Sequence, residues 1–131
     1  MPHQYRRRVY FESTDAAGVT YHADYLSFLS QARVEWAREH GWHIGELAKK
    51  GILMPICDIE IHYHQPSFLD EELFIHSEIE SIKRCGVVFY QKVYHDLEAT
   101  QLVCEARTRV ACVDKQMKPQ AWPEGLWTDM K

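Results

Sequence analysis

The sequence predicts a single α+β domain in which a mostly antiparallel sheet curls around one helix, and three observations carry that reading. Apolar residues between Tyr25 and Trp36 recur at helical spacing. After Gly51 the period falls to two and stays there through four successive segments. The chain is 131 residues long, about one domain at ~150 residues each, so residues 1–131 are read as one unit.

Tyr5, Val9 and Phe11 alternate with Arg6, Arg8 and Tyr10, a first strand with one buried face. Ser13 to Gly18 is a polar turn. Tyr25, Phe28, Leu29, Ala32 and Trp36 then lie in a stripe roughly 100° wide on a helix that Gly41 ends. Arg33 and Glu35 flank that stripe, while Ser27, Val34 and Arg38 face away. Ile44, Leu47 and Ala48, closed by Gly51, form a second short helix. The next strand runs from Cys57 to His64, with Ile59, Ile61 and Tyr63 opposite Asp58, Glu60, His62 and His64. Leu73, Ile75 and Ile79 mark a strand reaching about Ile82, Arg84-Cys85-Gly86 turns it back, and Val87 to Tyr94 comes after. Leu102 to Cys112 is the last. Links this short are expected to join antiparallel neighbours, which gives the order β-α-β-β-β-β in two layers.

Composition narrows the function classes. With 46% hydrophobic, 12% aromatic and 26% charged residues, the chain has the make-up of an ordinary globular protein rather than a disordered one. A net charge of -4 argues against a general binder of nucleic acid or membrane surface, yet leaves room for a local basic patch that holds a phosphate. There is no membrane-spanning apolar stretch, and Arg6-Arg7-Arg8 is not followed by the apolar core of a signal peptide, so a cytoplasmic protein is expected. Cys57, Cys85, Cys104 and Cys112 form no C-x-x-C pair and read as small core residues or free thiols. His62 and His64 could supply two zinc ligands. With no third ligand at motif spacing and Asp58 and Glu60 on the same face, they read as a solvated polar surface, and no metal site is expected. Exposed sheet edges, together with Trp36, Trp42, Trp122 and Trp127, suggest that copies associate.

The most informative segment is Tyr10 to Tyr25, because it sets Asp15 in a turn just before a helix begins. Free N–H groups at a helix start can polarise a carbonyl and hold an oxyanion, and a neighbouring carboxylate can attack or activate water. On residue types alone the plainer alternative leads: Asp15 braces its turn and Asp24 caps the helix.

The run Asp15-Ala16-Ala17-Gly18-Val19-Thr20-Tyr21-His22-Ala23-Asp24-Tyr25, opening a helix that carries Ala32-Arg33-Val34-Glu35-Trp36, resembles the hotdog-fold acyl-CoA thioesterases. Within them it is most like the YbgC type that accompanies the bacterial Tol-Pal system, similar to 4-hydroxybenzoyl-CoA thioesterase. Pro66 with Asp70-Glu71-Glu72-Leu73, and Ala111-Cys112-Val113-Asp114 with Met117-Lys118-Pro119, resemble later elements of that family. The resemblance implies a five-stranded antiparallel sheet wrapped around a central helix. It makes Asp15 the catalytic nucleophile or general base and His22 the oxyanion donor through its N–H, with its side chain placing substrate or water. Gly18 would permit close backbone approach, and Tyr21 would touch substrate. Phe11 stands where the YbgC type has tyrosine, which removes a hydroxyl and is expected to keep the aromatic packing. Lys83 and Arg84, with Arg109 third, match basic residues that hold nucleotide phosphates, although charges at a hairpin also simply solvate a turn. Glu35 matches an acid that some hotdog enzymes use, and ranks behind Asp15.

The expected substrate is therefore an acyl-CoA or acyl-carrier-protein thioester, hydrolysed in a cleft between subunits of a homodimer or homotetramer. Coenzyme A enters only as part of the substrate, with no other cofactor. Two alternatives stand beside it: a hotdog dehydratase of hydroxyacyl thioesters, and a non-catalytic acyl-binding module.

Overall fold

The structure, a computed structural model, describes residues 2–131. Its elements are β1 (His3–Arg8), α1 (Asp24–Glu39), α2 (Ile44–Lys49), β2 (Ile56–Tyr63), β3 (Glu72–Lys83), β4 (Gly86–Tyr94) and β5 (Leu102–Ala111). Every strand pairing is antiparallel, and the sheet runs β1-β3-β4-β5-β2. The α+β class and the order of elements are those the periodicities predict. No helix of the described residues is long and apolar enough to cross a membrane.

All five residues of the helical stripe are buried, and they join two cores. Tyr25, Phe28, Leu29 and Ala32 pack on Leu73, Ile75, Val93 and Val103 around the first half of α1. Trp36 and Ala37 pack with Ile79, Phe89, Val110, Leu126 and Trp127 around the second. Removing a fully buried ring such as Phe28 costs about 3–5 kcal/mol, so the helix is fixed in place by its apolar face rather than by local propensity.

One expected neighbour pair is wrong. β2 lies on the far edge beside β5, not beside β3. The link of residues 64–71 crosses the end of the sheet: about eight extended residues reach ~26 Å, while three strand spacings need only ~14 Å. Buried Ser67 anchors that link, its O accepting from the N–H of Thr20 at 2.8 Å and its Oγ lying 2.6 Å from the hydroxyl of Tyr25. The link thus runs across the start of α1.

The first strand also ends earlier than its alternation suggests. Past Arg8, Val9 is buried and exchanges backbone hydrogen bonds with Asp70 and Glu71, and the chain then tightens into a 3-10 turn at Phe11–Ser13. Phe11 is 80% exposed, so the aromatic packing expected of it is absent. The inward place before Val9 is taken by Arg7, whose guanidinium stacks 5.0 Å from the Phe28 ring.

The tryptophans need no second copy to cover them. Trp36 and Trp127 are buried and Trp42 and Trp122 half-buried in the second core, which the segment after Pro119 completes. Exposed apolar surface gathers instead along β2, where Ile56, Ile59 and Tyr63 all lie open, and nearby on Leu26 and Phe68.

Candidate active site

Asp15 sits in a tight hairpin turn. Its N–H donates to the Val19 carbonyl at 2.9 Å and its carbonyl accepts from the Gly18 N–H at 3.0 Å. Oδ1 accepts from the N–H of Ala17 at 2.8 Å and of Val19 at 3.3 Å. Gly18 adopts φ +81° with open space where a Cβ would stand, so glycine is required by the left-handed backbone and not by crowding. Asp15 therefore does brace its turn, as the plainer reading of the sequence holds. Its second oxygen makes no hydrogen bond among the described residues.

The turn leads straight into the start of α1. The N–H of Tyr21 returns to the Ser13 carbonyl at 2.8 Å and that of Asp24 to Tyr21 at 3.0 Å, while the N–H of His22 between them has no partner among the described residues. Asp24 is the first helical residue, and the capping position falls to Ala23, which offers no side chain to the helix. Asp24 is thus not the cap that the plainer reading assigns. The helix start keeps unspent N–H groups, and the partial positive charge of the helix end lies with them.

Asp15 and His22 line one pocket of about 370 Å³, together with Thr20, Tyr25, Tyr63 and His64. Tyr63 donates its hydroxyl hydrogen to the His22 carbonyl at 2.9 Å and so fixes the peptide that opens the helix. Burial pushes the Tyr25 phenol up, partly offset by its hydrogen bond to Ser67, so that hydroxyl keeps its proton at neutral pH. Tyr21 is exposed beside this pocket with its ring 4.6 Å from that of His22. Sequence reasoning misses Tyr63 and His64 as site residues. The available signal is the Gln65-Pro66 stop, which places both at the end of a strand, where side chains reach loops.

The expected phosphate contacts lie elsewhere. Lys83 pairs with Gly86 and Gly86 with Ala111, whereas Tyr63 at the pocket pairs with Cys104. Cys104 and Ala111 are about 23 Å apart along β5 at ~3.3 Å per residue. Lys83 and Arg84 therefore stand exposed at the opposite end of the sheet from Asp15, and Arg109 forms an ion pair with Asp58 of β2. Glu35 pairs with Arg38 at 3.3 Å on the helix surface. His62 pairs with Glu60, and His64 with Glu105, each at 2.9 Å.

A second cavity, about 300 Å³ and largely apolar, runs along α1 past Leu26, Arg33 and Val34 to Ile56 and Ile59. Arg33 donates to Oε1 of buried Gln91 at 2.9 Å, and burial brings its guanidinium down to about 10. The cavity and the Asp15 pocket both border β2, Ile59 lining one and Tyr63 the other.

The chain as a whole is similar to known proteins. Residues 9–127 match the thioesterase-like superfamily, and the chain belongs to it. Within it, the chain is 36% identical over 125 residues to the acyl-CoA thioester hydrolase YbgC of Escherichia coli O6:H1, covering 95% of this chain and 92% of that protein. It is 35% identical over 119 residues to the acyl-CoA thioesterase YbgC of Haemophilus influenzae, covering 89% and 85%. Among solved structures, a probable thioesterase from Bartonella henselae superposes with a TM-score of 0.87 at 27% identity, covering 94% of this chain and all 100% of that one. The 1,4-dihydroxy-2-naphthoyl-CoA thioesterase Slr0204 from Synechocystis superposes at 0.91 over 99% of this chain and 96% of its own, at 20% identity, a likeness of fold. The fold is the hotdog fold, and the family is the one that the Asp15 to Tyr25 run resembles.

Proposed function

We propose that the chain hydrolyses the thioester bond of acyl-CoA, with Asp15 as nucleophile or general base. The substrate carbonyl oxygen is received by the free N–H groups at the start of α1, His22 first among them, and the negative charge that forms there meets the positive end of the helix. Asp15 brings the charge that attacks. The observation that carries this reading is that the uncommitted carboxylate oxygen of Asp15 and the unpartnered N–H of His22 belong to one pocket-lining segment. The apolar cavity between α1 and β2 suits the acyl tail. An acyl-carrier-protein thioester would meet the same chemistry at the same bond.

The working form in this proposal is a homo-oligomer. The exposed apolar edge of β2 wants a partner, and Lys83 and Arg84, at the far end of the sheet from their own pocket, serve the nucleotide phosphates of a substrate in a neighbouring copy. Cys57, Cys85, Cys104 and Cys112 are all free thiols, which suits a reducing compartment such as the cytoplasm.

Purified protein with a panel of acyl-CoAs tests the reading by release of free thiol. Thiol release with no change in the acyl group is the expected result. An enoyl product would make the chain a dehydratase, and tight binding without turnover would make it an acyl-binding module; either overturns the proposal.

A further inference from the structure

We propose that His64, oriented by Glu105, is the base that activates water in this reaction, an inference that rests on the hydrolase reading with Asp15 as nucleophile. His64 lines the pocket that holds Asp15 and His22. Its backbone is fixed just past β2, the N–H of His64 donating to the Val103 carbonyl at 2.8 Å. Its ring is fixed as well, because Nε2 lies 2.9 Å from Oε2 of Glu105, and the other oxygen of Glu105 accepts from the Tyr90 hydroxyl at 2.9 Å. Those two hydrogen bonds, that of His64 the stronger influence, hold the Glu105 carboxyl below the usual carboxylate range, so it is an acceptor at neutral pH. The hydrogen between the two residues therefore sits on Nε2. In the neutral ring the lone pair is left on Nδ1, which has no hydrogen-bond partner among the described residues. A base held in one tautomer by a carboxylate is the arrangement that water activation needs.

The groups around His64 are Glu105 from β5, Tyr90 and Lys92 of β4 behind it, Tyr25 from α1, its strand neighbour Tyr63, and Asp15 and His22 across the pocket. Imidazole near neutrality is better matched to taking a proton from water than a carboxylate is, which leaves Asp15 for bond formation. In the first step the free oxygen of Asp15 attacks the thioester carbon, the C–S bond breaks, and the electron pair leaves with sulfur as the thiolate. Water then adds to the same carbonyl carbon of the acyl-Asp15 anhydride while Nδ1 of His64 takes its proton. The bond from that carbon to Asp15 breaks, its electrons return to the carboxylate, and the imidazolium gives its proton to solvent, which in turn protonates the departed thiolate.

His64→Gln tests this, since glutamine can still reach Glu105 but cannot carry the proton. The variant should release one equivalent of coenzyme A per site in a burst and then turn over about a hundredfold more slowly than the parent, with KM within threefold. Imidazole added to His64→Ala should restore part of the rate. Glu105→Gln weakens the contact that orients the ring, so kcat should drop about tenfold with KM unchanged. The base assignment is overturned if His64→Gln keeps kcat within threefold, or loses rate with no burst, or changes KM alone. An inactive Asp15→Asn beside a fully active His64→Gln would leave the hydrolase standing and remove only this base. A parent protein that releases no thiol from any acyl-CoA would remove both.

Discussion

The turn at Asp15 has a twin at Asp114. In both, the aspartate N–H donates to the carbonyl four residues on, at 2.9 Å from Asp15 to Val19 and 2.8 Å from Asp114 to Lys118. In both, Oδ1 accepts from the second and fourth following N–H groups, at 2.9 Å and 3.0 Å for Gln116 and Lys118. The flanking residues bridge alike, Thr14 with Thr20 and Val113 with Pro119, and the fourth residue of each is left-handed, Gly18 at φ +81° and Met117 at φ +64°. The two turns part in their surroundings. The Asp15 turn opens the uncapped start of α1 and faces Tyr63 and His64, while the Asp114 turn returns along the chain and bridges toward Leu53. Identical hydrogen bonding thus says nothing about whether an aspartate is a brace or a reagent. On the proposed function, the neighbours supplied by β2 and α1 decide it.

Exchanging each carboxylate for its amide gives the largest contrast. Asp15→Asn should lower kcat by about 10²–10⁴ with substrate binding nearly intact, whereas Asp114→Asn should stay within twofold, and both should keep their turns because asparagine supplies the same acceptor. Equal losses at the two positions would show that the turns matter only as structure. Next in size, Lys83→Ala with Arg84→Ala should raise KM for acyl-CoA about tenfold and leave short pantetheine thioesters unchanged, since only the former carry the nucleotide phosphates. An equal rise for both would move the landing site elsewhere. Tyr63→Phe removes the hydrogen bond to the His22 carbonyl and should lower kcat about fivefold, near 1 kcal/mol, without an effect on the Asp114 turn. The smallest effect concerns backbone alone. Gly18→Ala should cost roughly 1 kcal/mol in urea unfolding by forcing a side chain into the left-handed region, and Met117→Gly should gain no more than that, because its exposed side chain gives up little packing.

Sequence distance decides how much of the fold and the site is legible in the chain. The helix stripe from Tyr25 to Trp36 and the Arg84 hairpin are local, and their periodicity or turn residues specify them. Asp15 and His22 meet because a short turn and a helix start keep them together. Period two, by contrast, says which face a residue takes and not which strand lies beside it. That is why the sequence places β2 next to β3, and why Tyr63, brought to the pocket by pairing with β5, reads as a strand residue and His64 as a zinc candidate set aside for a solvated polar surface. The exposure of Phe11 is invisible in the sequence because alternation continues past the point where backbone bonds to Asp70 and Glu71 end the strand. The family resemblance groups Lys83 and Arg84 with Asp15, and only the register sets them at opposite ends of the sheet.

The most direct test of the difference between the twin turns uses no substitution. A non-hydrolysable acyl-CoA, with a methylene in place of the thioester sulfur, is titrated into the protein while backbone amide resonances are followed by NMR. The amides of residues 15–25, with those of Tyr63 and His64, should shift saturably as the carbonyl settles on the start of α1, while those of residues 114–118 stay in place. Saturable shifts at the Asp114 turn with none at the Asp15 turn would contradict the account, and would place the thioester at the other end of the molecule.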